Sequence, residues 1–193
     1  MLTKLPVIMS AFEQLEDPRA VGGNKQHELL DMIFITLCAT ICGADTWTDV
    51  ERFGWQKYDW FGEQLELENE IPSHDTLGRV FAALDTNLFA TCIQKWIEQL
   101  DLDLKGKGIH IDGKAIRHSF DTATGNTALQ MVSAWADELS VCLGQQAVAE
   151  DSNEITAVPL LLDLMTIRGA VISIDAMHCQ KQTLAKIRDK QAD

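Results

Sequence analysis

Residues 108–119 read GIHIDGKAIRHS: a short apolar run ends on an acid and passes through a turn into basic residues. Residues 169–180, GAVISIDAMHCQ, repeat the arrangement, with Ala170, Val171, Ile172 and Ile174 leading into Asp175. Val- and Ile-rich runs of this length bounded by glycine predict buried strands. Chemistry in sheet proteins gathers where such strands end. Two strands that each deliver an aspartate therefore predict a divalent-metal site built from Asp112 and Asp175.

Between these stretches, residues 129–136 (LQMVSAWA) and 141–148 (VCLGQQAV) predict a hairpin turning at 137–140. Residues 153–165 (NEITAVPLLLDLM) predict a helix with Thr156 as N-cap, which leaves Pro159 in the first turn, where proline is tolerated. Residues 179–190 predict a last helix with Leu184 and Ile187 inside. The resulting order is β-β-β-α-β-α. An antiparallel meander followed by a parallel strand reached through a helix opens a ribonuclease H-like mixed sheet, which carries carboxylates on its first and fourth strands. No fifth strand is expected before residue 193.

Upstream the pattern is helical. Residues 28–42 (ELLDMIFITLCATIC) are apolar nearly all round, as in a helix buried on several sides, and Gly43 is placed to end it. Asp45 or Thr46 starts a helix carrying Trp47, Val50, Phe53 and Tyr58, weakened by Gly54. Residues 61–70, FGEQLELENE, are expected to be a solvated connection. Ser73 caps a helix with Leu77, Val80, Phe81 and Leu84 inward, and Asp85 caps the next. The expected fold class is α+β: a helical domain over residues 1–104, then a partial ribonuclease H-like domain over 105–193.

The chain has 193 residues and a net charge of −13. Residues 1–105 hold 8 Lys and Arg against 18 Asp and Glu, and residues 106–193 hold 8 against 11. The N-terminal half thus lacks the overall basic balance that nonspecific phosphate binding requires. Five scattered cysteines, mostly within apolar runs, predict buried thiols in a reducing compartment. No signal-peptide pattern opens the sequence, and the most apolar segment, residues 29–42, falls short of the ~20 residues that span a bilayer. A cytoplasmic protein with no membrane partner is expected.

The motifs, taken together, resemble the H-repeat-associated (Rhs-linked) family of bacterial insertion-sequence transposases, of the DDE class. They are EDPR at 16–19, CGAD at 42–45 followed by Trp47, IPSHDTLGRVF at 71–81 and IDGKAIRHS at 111–119. They continue with VSAWADE at 132–138, SNEITAVPLLLDLM at 152–165 and SIDAMHCQ at 173–180. The resemblance implies an enzyme that cuts and rejoins DNA at element ends. Asp112 and Asp175 match its first two catalytic acids and would hold Mg2+ or Mn2+. The third acid, a Glu in the family, would lie beyond Asp193, so a truncated and catalytically incomplete copy is expected. DNA is the implied partner, together with further copies of the chain or an intact transposase.

Each of these residues also has a plainer reading. Asp112 precedes Gly113 and is suited to a turn. Lys114 and Arg117 are candidates for DNA phosphate contact, or neutralise the acids beside them. Glu154 is explained more cheaply as an N-terminal helix charge than as a substitute third acid. His178 and Cys179 lack the partner ligands of a zinc site. Trp47, Trp55, Trp60 and Trp96 can stack on bases, but packing between helices is the commoner role. The alternative function is a non-catalytic interaction protein that pairs with or inhibits an intact transposase. An unrelated metal nuclease of the same fold ranks last, because no basic groove is legible.

Overall fold

The computed structural model describes residues 7–19, 25–116, 128–149 and 153–193. The chain divides into two compact units, Met1–Trp96 and Ile97–Asp193, in an α+β architecture that has eight α-helices and one four-stranded sheet among the described residues.

The first unit is helical: α1 (Val7–Ser10), α2 (Leu29–Ile41), α3 (Trp47–Gln56), α4 (Tyr58–Gly62), α5 (His74–Ala83) and most of α6 (Thr86–Gln99). As its all-round apolar pattern predicts, α2 is central, with Leu29, Met32, Ile33, Phe34, Ile35 and Ala39 buried. It ends at Gly43, whose φ of 91° is open to glycine without strain. Thr46 caps α3 through a reciprocal capping box with Asp49. Ser73 accepts from the Thr76 amide at the start of α5, and Asp85 accepts from the Asn87 and Leu88 amides at the start of α6, each at 2.9 Å.

Residues 61–70 depart from the expected solvated connection. Phe61 belongs to α4 and is fully buried, and Leu65 is buried with it. Two well-spaced apolar side chains are enough to dock an otherwise acidic segment, an anchoring that average polarity hides. The EDPR segment is a local clamp. Arg19 donates to Asp17 and to the His27 carbonyl, and Lys25 lies 3.0 Å from the same aspartate.

The second unit is built on β1 (Gly108–Ala115), β2 (Gln130–Ala136), β3 (Val141–Ala147) and β4 (Val171–Ile174), in the spatial order β3-β2-β1-β4. β1, β2 and β3 form an antiparallel meander, and β4 lies parallel to β1. Ile109 and Ile111 point to the core while His110, Asp112 and Lys114 are exposed, the alternation a half-covered strand requires. The covered face packs on α7 (Glu154–Leu164) through Ala157, Val158, Leu161 and Leu162, and α8 (Lys181–Asp189) adds Ile187.

Several details differ from expectation. The N-cap of α7 is Asn153, whose side chain accepts from the Thr156 amide at 3.3 Å; Thr156 is already inside. Pro159 consequently falls in the second turn, with its ring buried in the core. Two lysines reach α7: Lys186 of α8 donates to the Pro159 carbonyl, and Lys190, just past α8, donates to the carbonyls of Asp163 and Met165 at the end of α7. On α8 it is Thr183 and Ile187 that are buried, four residues apart on one face, whereas Leu184 is exposed. Cys42 and Cys179 are exposed and Cys92 is buried; all five cysteines are free.

The sheet has four strands among the described residues, and residue 193 makes backbone contact with the free edge of β4. Ile172 donates to the Asp193 carbonyl at 2.7 Å and the Asp193 amide donates to Ala170 at 2.9 Å, the pattern of a single parallel rung. Gln191, with φ of 59°, turns the chain out of α8, and Ala192 is buried beside the strand. Among the described residues no helix is long and apolar enough to cross a membrane.

Candidate active site

The register of β1 against β4 pairs His110 with Ser173 and Ile111 with Ile174. One residue beyond this last pair, β1 carries Asp112 and the segment leaving β4 carries Asp175. Asp112 still lies within β1, opposite Ser133 of β2. Asp175 has left β4 and is the N-cap of a 3-10 turn at Ala176–His178. Both are exposed, and the Asp112 side chain retains 62% of its accessible surface.

The flanking residues divide between the two faces of the sheet. On the exposed face, Lys114 Nζ lies 3.5 Å from Asp112 Oδ2. That pair is weak in water, so the lysine remains available to another anion. Arg117 lies outside the described residues. One rung upstream, His110 Nδ1 is 2.5 Å from Ser173 Oγ and His110 Nε2 is 3.2 Å from Asp137, which ties β1 to β4 and to the β2–β3 turn.

On the covered face, Gly113 meets the first turn of α7. A Cβ built on Gly113 would lie 2.4 Å from Glu154 Cδ and 2.5 Å from each carboxylate oxygen. The space a side chain would need is filled by the Glu154 carboxyl group. Glu154 Oε2 in turn lies 3.3 Å from Nε2 of His178, which is only 2% exposed. Glu154 does stand in the first turn of its helix, as expected, but it also touches the residue after Asp112 and the third residue after Asp175. Sequence periodicity cannot register such a contact; the available signal was a glycine directly after a candidate catalytic acid. Among the described residues no group of three His, Cys, Asp or Glu side chains converges to hold a metal.

Comparisons with known proteins converge on one group. A family model described as DDE_Tnp_1-associated matches residues 9–97. The Escherichia coli (strain K12) protein named "Putative transposase YncI" is 42% identical over 171 residues, covering 89% of this chain and 69% of that protein. The chain belongs to the H-repeat-associated transposase family. The YncI protein of E. coli O157:H7 is likewise 42% identical over 171 residues, and the K12 protein named "H repeat-associated putative transposase YhhI" is 38% identical over 168. The chain spans 44% of the length of each of these two family members.

Proposed function

We propose that this chain is the front portion of an insertion-sequence transposase that cuts and rejoins DNA at element ends, with Asp112 and Asp175 as two of its three metal-holding acids. The observation that carries the reading is the Ile111–Ile174 rung, the last of the parallel pairing, after which each segment carries an exposed aspartate as its next residue. In this reading residues 1–104 are the family's helical associated domain and residues 105–193 begin a ribonuclease H-like catalytic domain. The strand order β3-β2-β1-β4 and the parallel rung at Asp193 support that assignment.

The donor set suits a hard divalent cation. Two carboxylates offer oxygen ligands of the kind Mg2+ or Mn2+ takes, with water and substrate phosphate filling the remaining positions. Asp112 and Asp175 would hold the ion between them. When bound, a pair of such ions stabilises the attacking and leaving oxygens of an in-line phosphodiester displacement. The third acid is assigned to the portion of the family enzymes that this chain does not span. Lys114, free to exchange its weak partner, and Arg117 contact the DNA phosphates beside the scissile bond. Hydrolysis at the element end and later attack by the freed 3′ hydroxyl use the same carboxylates, so no covalent protein intermediate is needed.

The test is a plasmid-nicking assay with Mg2+ or Mn2+. This chain alone is expected to leave supercoiled DNA intact. The chain extended by the remaining portion of the O157:H7 relative is expected to nick it, and Asp112→Asn or Asp175→Asn to abolish the activity. Undiminished nicking by both variants would remove the aspartates from the mechanism. Nicking by this chain alone, lost in Asp112→Asn, would instead retain the aspartates and overturn the need for a third acid from outside it.

A further inference from the structure

We infer that Glu154 is a positioning residue that braces the two aspartate-bearing strand ends from the covered face of the sheet, by filling the space over Gly113 and holding buried His178. The inference rests on the assignment of Asp112 and Asp175 as the metal-holding pair.

Asp112 and Asp175 are exposed and belong to segments far apart in sequence. Backbone pairing fixes β1 against β4 only as far as Ile111 and Ile174. At Asp175 the chain departs into a 3-10 turn, held by a 2.9 Å bond from the His178 amide to the Asp175 carbonyl. The position of Asp175 therefore depends on what anchors that turn, and His178 is its one buried member. The ring Nδ1 has no hydrogen-bond partner. Its Nε2 lies 3.3 Å from Glu154 Oε2, a close polar contact for an otherwise enclosed ring.

The same carboxylate group occupies the place of a Cβ on Gly113. The Glu154 carboxyl group is thus a contact shared by the residue after Asp112 and the turn after Asp175. Its own backbone is fixed by the Asn153 cap at the start of α7. Any side chain at position 113 would displace the carboxyl group, and loss of the carboxyl group would remove the polar contact of buried His178. Supports behind the ligands of a metal site commonly change metal affinity by about 10-fold or more when removed.

Three variants of the full chain test the brace: Glu154→Ala, Glu154→Gln and Gly113→Ala. Amide hydrogen exchange at Gly113, Lys114 and His178, measured without metal, is expected to speed up in Glu154→Ala and Gly113→Ala and to stay near wild type in Glu154→Gln, which keeps an oxygen acceptor of the same reach. Mn2+ affinity, read by paramagnetic broadening at Asp112 and Asp175, is expected to fall about 10-fold in the first two variants and to be restored in Glu154→Gln. Unchanged exchange in Glu154→Ala overturns the brace. Equal loss of Mn2+ binding in Glu154→Gln and Glu154→Ala also overturns it, because charge rather than placement would then be acting. If Asp112→Asn leaves Mn2+ binding intact while exchange responds as expected, the metal assignment fails and the brace survives as a structural contact only, so the positioning role is overturned.

Discussion

Two single residues carry conformational or electrostatic stress that a substitution can expose. Ser140 ends the turn between β2 and β3 with φ of 51°, a left-handed conformation that costs a residue with a Cβ roughly 1 kcal/mol. Ser140→Gly is therefore expected to stabilise the second unit by about 0.5–1 kcal/mol, read as a higher urea midpoint with unchanged slope. Asp17 is the opposite case. The Arg19 hydrogen bond, aided by Lys25 and opposed by desolvation, holds its carboxyl well below the ordinary carboxylate range. A depressed folded-state pKa contributes stability that is present above the unfolded value and lost as pH falls below it. Asp17→Asn should cost about 1 kcal/mol at pH 7. The gap to wild type should narrow as pH is lowered from about 4 toward 2, and a gap independent of pH would show that the aspartate acts through packing alone.

Among the elements, those whose signals are local matched the sequence reading and those set by a distant partner did not. The capped starts of α3, α5 and α6 and the hairpin of β2 and β3 follow from a few adjacent residues. The burial of Phe61 and Leu65 and the inward turn of Thr183 rather than Leu184 depend on which neighbour each segment meets; the Asn153 cap of α7 is the exception, a local signal for which Thr156 was mistaken. Gly54 shows how the two levels combine. In α3 it looked like a weakness, yet its missing side chain admits Ile71, whose Cγ2 would lie 2.7 Å from an added Cβ, and Ile35 at 3.5 Å. Gly54→Ala gains up to about 1 kcal/mol of helix propensity but forces a buried branched side chain to move at a cost of roughly 1–3 kcal/mol. Net destabilisation in thermal unfolding is expected. Asp31 in α2 gives the reverse prediction. Burial, with Glu28 and Glu66 nearby, raises its carboxyl to about 6, so the folded state is penalised above pH 6 and relieved as pH falls from there toward 4. Asp31→Asn should stabilise the helical unit by about 1–2 kcal/mol at pH 8 and by nothing near pH 4. Tryptophan fluorescence suits the measurement, since Trp47, Trp55, Trp60 and Trp96 all lie in that unit.

At the scale of the whole molecule, the aspartate pair was legible because each aspartate directly follows a short isoleucine-bearing run, and the strand register sets Ile111 opposite Ile174. The support behind them was not, since Glu154 and His178 belong to segments whose meeting is decided by the packing of α7 on the sheet. Charge distribution is the remaining global property, and it bears directly on the proposed DNA partner. With a net charge of −13, the chain repels a polyanion overall, and the cations assigned to phosphate contact are Lys114 and Arg117. Each phosphate neutralised contributes a slope of about −0.9 to the dependence of log affinity on log salt. Fluorescence anisotropy with duplex DNA and no divalent ion should therefore give a slope no steeper than about −2 and an affinity no tighter than the roughly 10⁻⁴ M edge of nonspecific binding. Lys114→Ala should lower the slope by about 1 and weaken all sequences alike, because phosphate contacts carry no base information. A slope several units steeper would reveal a basic surface assembled from residues that the linear charge count does not bring together. An unchanged slope in Lys114→Ala would return that lysine to the plainer role of screening Asp112.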